Sequence, residues 1–230
     1  MRQIPVSSSL IVYLDELEYT EAALRAEPST GDLAGAFHDA IQQWGAYFAK
    51  QRASRREVLR AEAVVGVRDA QIDTTTRKFS TVLLMEAGGD RKSTFFRRFF
   101  PVAPSEFIRQ GLRDQCERTR DVIVPELEKL EGDSALSGFA KPLGDGVKAA
   151  LAALTARSKA KGEAAMTNSD IDDWKEGINQ LRRTTYAELM KRASEAKHPR
   201  EWPEMFFRMA GGRDAEGEAE PEAGDAQAPA

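Results

Sequence analysis

The stretch that decides the fold is Val58-Leu59-Arg60-Ala61-Glu62-Ala63-Val64-Val65-Gly66-Val67-Arg68-Asp69-Ala70-Gln71-Ile72. Val58, Val65 and Ile72 recur every seven residues, a spacing that places them on one stripe of an α-helix. Working outward, steps of three and four carry a seam back through Arg55, Gln51, Phe48, Trp44 and Ile41 to Phe37. The same steps carry it forward through Thr76 and Phe79 to Leu83. No proline interrupts residues 32–87, and Gly88-Gly89 supply a stop of the kind that ends helices. A continuous helix over this span is about 80 Å long at 1.5 Å per residue. A break near Ala53-Ser54 reads equally well.

Shorter and longer helices surround it. Leu10, Leu14, Leu17 and Leu24 share a face, with Ser7, Ser8 and Ser9 available as caps and Pro28 closing the segment. Pro104-Ser105-Glu106 opens another helix with Ile108, Leu112, Thr119, Val122 and Ile123 inward, which Pro125 should kink or split. A second long pattern runs from Leu143, Val147, Ala150 and Leu154 through a polar middle to Ile171, Trp174, Ile178, Leu181 and Leu189. Strand signals are nearly absent, since Thr74-Thr75-Thr76 sits inside the helical pattern. The expected fold class is all-α: an elongated helical bundle of about six helices, two of them long.

Gly31-Asp32-Leu33-Ala34-Gly35-Ala36-Phe37 resembles Gly132-Asp133-Ser134-Ala135-Leu136-Ser137-Gly138-Phe139, which suggests an internal duplication with tandem halves 5–101 and 104–210. Residues 1–210 are read as one all-α domain. Residues 211–230 hold six acids (Asp214, Glu216, Glu218, Glu220, Glu222, Asp225) against Arg213 and no large apolar side chain, so disorder is expected there. That segment carries more than the whole net charge of −4, leaving a nearly neutral body.

Composition excludes several chemistries. The single cysteine, Cys116, permits neither an intramolecular disulfide nor a cysteine zinc site. His38 and His198 lie far apart, each near a helix end, and neither has a catalytic partner in sequence. Gly88-Gly89-Asp90-Arg91-Lys92-Ser93-Thr94 lacks the glycine spacing and preceding strand of a phosphate loop. Leu10-Ile11-Val12-Tyr13-Leu14 is too short for a secretory core, and no stretch approaches a membrane span. A cytoplasmic location is expected, and Arg outnumbering Lys suggests a GC-rich bacterial source.

Two constellations invite a functional reading. Glu62 and Asp69 interrupt the apolar stripe, and with Glu163 and Asp170 on the second long helix they are candidates for a carboxylate metal centre. No Glu-x-x-His accompanies them. Surface neutralisation of Glu62, Asp69 and Asp73 by Arg55, Arg68 and Arg77 explains the same pattern. Phe95-Phe96-Arg97-Arg98-Phe99-Phe100 and Trp202, Phe206 and Phe207 are candidate interaction residues. Each set also suits a short amphipathic helix plugging the end of a bundle.

The reading favoured by the sequence is non-enzymatic: a helical scaffold, adaptor or structural protein that binds another protein or itself, without catalytic residues or cofactors. The alternatives are a metal-dependent enzyme using the four carboxylates, and an amphipathic coat on a lipid or polymer surface, similar in character to phasins. Basic pairs such as Arg55-Arg56 and Arg182-Arg183 are dispersed among acids, so nucleic-acid binding is not expected.

Overall fold

The structure, a computed structural model, describes residues 1–130 and 134–208. It is all-α. The helices are α1 (Leu10–Ala26), α2 (Ala34–Glu86), α3 (Thr94–Phe99), α4 (Pro104–Ile108), α5 (Leu112–Arg118), α6 (Val124–Glu128) and α7 (Ala140–Glu195). Short 3₁₀ turns at Gly31–Leu33 and Ser137–Phe139 lead into the two long helices, and a third at Trp202–Phe206 follows α7. No strand occurs among the described residues. The second copy of the suggested repeat leans on Gly132 and Asp133, which lie outside the described residues, as does the acidic segment 211–230.

α2 is continuous over 53 residues, through Ala53-Ser54, and α7 over 56. α2 ends as its glycines require. Gly88 (φ 64°) donates to Met85 C=O at 3.0 Å, and Gly89 (φ 82°) reaches back to Leu84 C=O at 2.9 Å. That pair of bonds is the Schellman arrangement, and its left-handed residue is cheapest as glycine. α7 ends in the same arrangement, with His198 N–H bonded to Ala193 C=O at 2.9 Å, but the left-handed residue is Lys197 (φ 57°).

The chain divides into two compact units, one of Met1–Tyr47 with the chain from Asp172 onward, the other of Phe48–Ile171. In the first, Tyr13, Leu17, Leu24, Phe37, Leu189 and Phe206 are fully buried. Tyr13 and Tyr47 both pack on Trp174, with ring centroids 6.0 and 5.3 Å away. A polar network ties the N-terminal segment to α7: Asn179 pairs with both backbone groups of Ile4, and Lys175 Nζ donates to Val6 C=O at 2.7 Å. Arg192 forks onto both carboxylate oxygens of Asp32 at 2.7 and 2.8 Å, fixing the 3₁₀ turn to the last turns of α7. The guanidinium holds the Asp32 carboxyl below its ordinary range.

In the second unit the residues of α2 and α7 pair in opposite order, Lys50 with Asp170 and Glu62 with Lys161, so the helices are antiparallel. The end bearing α3–α6 holds a core of Phe79, Leu83, Phe96, Phe99, Phe100, Phe107, Ile123, Leu127, Leu136 and Leu143. The expected helix from Ser105 is instead three pieces. α4 stops at Ile108, α5 begins at Leu112, and a π-helical turn at Thr119–Ile123 joins α5 to α6. Val124 N–H bonds five residues back to Thr119 C=O. The wider turn accommodates Pro125 at the start of α6, because its ring would otherwise crowd the carbonyl four residues earlier. Pro125 therefore distorts the helix through this π-helical turn without splitting it, and Val122 points outward.

Candidate functional site

Within the second unit, the α2/α7 pair changes character along its length. From Ile72 onward it is covered, with Ile72, Cys116, Val147 and Ala150 forming one buried cluster. Towards Phe48 the packing thins. Between Phe48 and Ala61 no α2 residue is fully buried; Phe48, Gln51, Ser54, Val58 and Ala61 are half-buried. Opposite them α7 contributes small residues, Ala160, Ala164 and Thr167.

The seam here is Gln51, Ser54, Val58, Ala61, Val65, Arg68 and Ile72, alternating steps of three and four as in a two-helix coiled coil. It departs from the stripe expected from sequence. Of the polar positions of that stripe, Arg55, Glu62 and Asp69 lie outside the seam and are exposed, whereas Thr76 is buried as expected. A repeat of seven contains two seam positions, and stepping by four and then three from Gln51 to Ile72, in place of three and then four, assigned the wrong residue to the second.

The four candidate metal ligands are spread along the pair. Glu62 is joined by Lys161 Nζ at 2.9 Å, which holds its carboxyl below the ordinary range. Asp170 is paired with Lys50, and Glu163 lies 3.8 Å from Lys159 on its own helix. The carboxyl of the exposed Asp69 is held above its ordinary range, first by partial desolvation and then by repulsion from Asp73. No group of three or more His, Cys, Asp or Glu side chains that could hold a metal occurs among the described residues. For Glu62, Lys161 of α7 replaces the neutralisation expected from arginines of α2. Arg77 does pair with Asp73 at 3.2 Å, whereas Arg68 bonds Gln71.

The aromatic candidates sit mainly in cores. Phe96, Phe99 and Phe100 are buried and Phe95 half-buried, with Arg97 and Arg98 exposed and Arg98 paired to Glu126. Phe206 and Phe207 are buried, and the half-exposed Trp202 stacks on His198 with ring centroids 4.6 Å apart. His38 is exposed beside Glu21 at 3.1 Å. Cys116 is fully buried, and burial, with help from Asp69 and Glu117, pushes its thiol up to about 11. That environment opposes formation of a nucleophilic thiolate.

What sequence reasoning missed is the set of large apolar residues left outside. Leu59 is 56% exposed, Val64 48%, Val67 56% and Met166 70%. Grooves flank the seam on both sides. One, of about 900 Å³, is lined by Phe48, Arg52, Arg55, Val58, Leu59 and Ala164. The other, of about 340 Å³, is lined by Arg60, Ala61, Val64, Ala153, Ala156 and Ala160. Apolar residues at 59, 64 and 67, off the seven-residue repeat, were the available signal. No helix among the described residues is long and apolar enough to cross a membrane. Comparison with family models, with curated proteins and with solved structures gives no match.

Proposed function

We propose that this protein is a non-enzymatic helical scaffold or adaptor, and that the α2/α7 pair of its second unit is the surface on which another protein or a second copy docks. One observation carries the reading. A two-helix stretch with a half-buried seam leaves Leu59, Val64, Val67 and Met166 in water, with Leu59 lining the larger groove, Val64 the smaller and Val67 a third of about 590 Å³. Clustered apolar side chains beside grooves are characteristic of binding surfaces, whereas scattered single ones are not. A third or fourth helix laid on the pair would convert the half-buried seam into a core of ordinary depth. The lysine-paired carboxylates and the buried, protonated thiol offer no activated acid, base or nucleophile on that surface.

The test combines sedimentation equilibrium with photo-cross-linking from residues placed at Leu59 and Val67. Association, as a dimer or as a cross-linked complex, should be abolished by Leu59→Glu with Val67→Glu while the melting temperature is unchanged. A chain that stays monomeric at high micromolar concentration and yields no cross-link from either position overturns the reading. So does association that survives both glutamates.

A further inference from the structure

The larger groove of the second unit is electrostatically one-sided. Its α2 lining carries Arg52, Arg55 and Arg56 and no acid, while Lys50, Glu57 and Arg60 lie outside that lining. Lys50 is occupied by Asp170 and Arg60 by Glu57, at 2.7 Å for the latter pair. Among the described residues, no carboxylate lies within ion-pair distance of Arg52, Arg55 or Arg56, and all three are exposed. Arg52 lies over the Phe48 ring, 5.9 Å from its centroid. The floor is apolar, built from Phe48, Val58, Leu59 and Ala164.

Resting on the docking role proposed above, we infer that this groove takes an acidic amphipathic helix of a partner protein. Its apolar stripe would cover Leu59 and Val58, and its carboxylates would meet Arg52, Arg55 and Arg56. The shape suits a helix, since Phe48 to Leu59 spans about 16 Å, three turns at 1.5 Å per residue, and a trough between antiparallel helices seats a third by ridges in grooves. Arg55 and Arg56 follow Arg52 by one turn, three and four residues on, the spacing at which i, i+3 and i+4 glutamates recur on a facing helix. The charge argues against a second copy here, because symmetric pairing would set arginine rows against each other. A membrane surface fits poorly too, since Phe48 and Val58 are recessed rather than projecting. Nucleic acid would call for a basic face, and here only one lip is basic.

The probe is an eighteen-residue fluorescent helix of Leu, Ala and Glu, with leucines at i, i+3, i+4 and i+7 and glutamates beside them, titrated into the full chain. Controls are a scrambled peptide of equal composition, phosphatidylglycerol vesicles and an RNA duplex. The amphipathic peptide should bind at low salt and protect amides 48–59 and 164–168 from exchange. Arg52→Glu with Arg56→Glu should weaken it about ten-fold, equivalent to about 1.4 kcal/mol. A lysine-for-glutamate peptide should then bind that variant instead. Equal binding of the scrambled peptide, tighter binding to vesicles or RNA, or indifference to the charge reversal overturns the inference. If the peptide fails while cross-links still form from Leu59, the acidic-helix partner is wrong and the docking role stands. Failure of both removes both.

Discussion

The side-chain amide of Asn179 closes on the backbone of Ile4 from both sides: its Oδ1 accepts from Ile4 N–H at 3.0 Å and its Nδ2 donates to Ile4 C=O at 2.8 Å. The amide also donates to the Tyr13 hydroxyl at 3.2 Å, and that hydroxyl donates to Ile4 C=O at 3.1 Å. One residue of α7 thus supplies the partners that a neighbouring strand would give the N-terminal segment. Asn179→Ala should cost about 2 kcal/mol or more, because buried backbone groups lose partners that water cannot replace. The Ile4 amide should lose its exchange protection in the same variant. An unchanged urea midpoint would show that the segment is held by packing alone.

Arg182 is nearly fully buried, bonded to Glu16 at 2.8 Å and lying over the Phe207 ring. Removing its counterion strands a guanidinium in a site that cannot hydrate it. Glu16→Ala is expected to cost about 3 kcal/mol, while Arg182→Met combined with Glu16→Leu should recover most of that loss. Denaturant unfolding of the single and double variants reads the difference. Equal losses in both would show that the site hydrates the stranded charge.

Cys116 makes stability fall at alkaline pH. Its thiol is raised from an ordinary 9.0 to about 11, so the unfolded chain ionises first as pH rises. The stabilisation is complete below pH 9 and is lost between about 9 and about 11, at no more than roughly 1.4 kcal/mol per pH unit. The difference in slope between the natural chain and Cys116→Ala, measured by chemical unfolding across that window, isolates this group from lysines and tyrosines titrating nearby. Below pH 8 the two slopes should coincide.

Lys197 occupies the left-handed position that ends α7, where a Cβ crowds the following carbonyl. Lys197→Gly should raise stability by about 1 kcal/mol, visible as a higher thermal midpoint. A fall instead would mean that the lysine side chain contributes more than the backbone conformation costs.

The helices were legible because burial repeats with the helical period. Phe79, Leu83, Phe96, Phe99 and Phe100 all enter a core, as their spacing and the outward Arg97 and Arg98 indicated. The stop at Gly88-Gly89 was equally plain, since few residues other than glycine adopt that conformation cheaply.

Tertiary structure decided what periodicity leaves open. A seven-residue repeat names a stripe but not which of its neighbours faces a second helix, so only the pairing with α7 puts Ser54 and Ala61 in the seam and Glu62 and Asp69 outside it. The counterions of Glu62 and Asp170, Lys161 and Lys50, lie roughly a hundred residues away in sequence, where no local rule reaches. Nothing local marks Asn179, because its role depends on a segment 175 residues distant. Sequence by itself determined that this chain is helical and where most of its helices begin and end, since those choices rest on backbone sterics and local burial. Which faces meet, which charges pair and which apolar side chains remain in water depend on long-range packing, and the folded arrangement alone settled them.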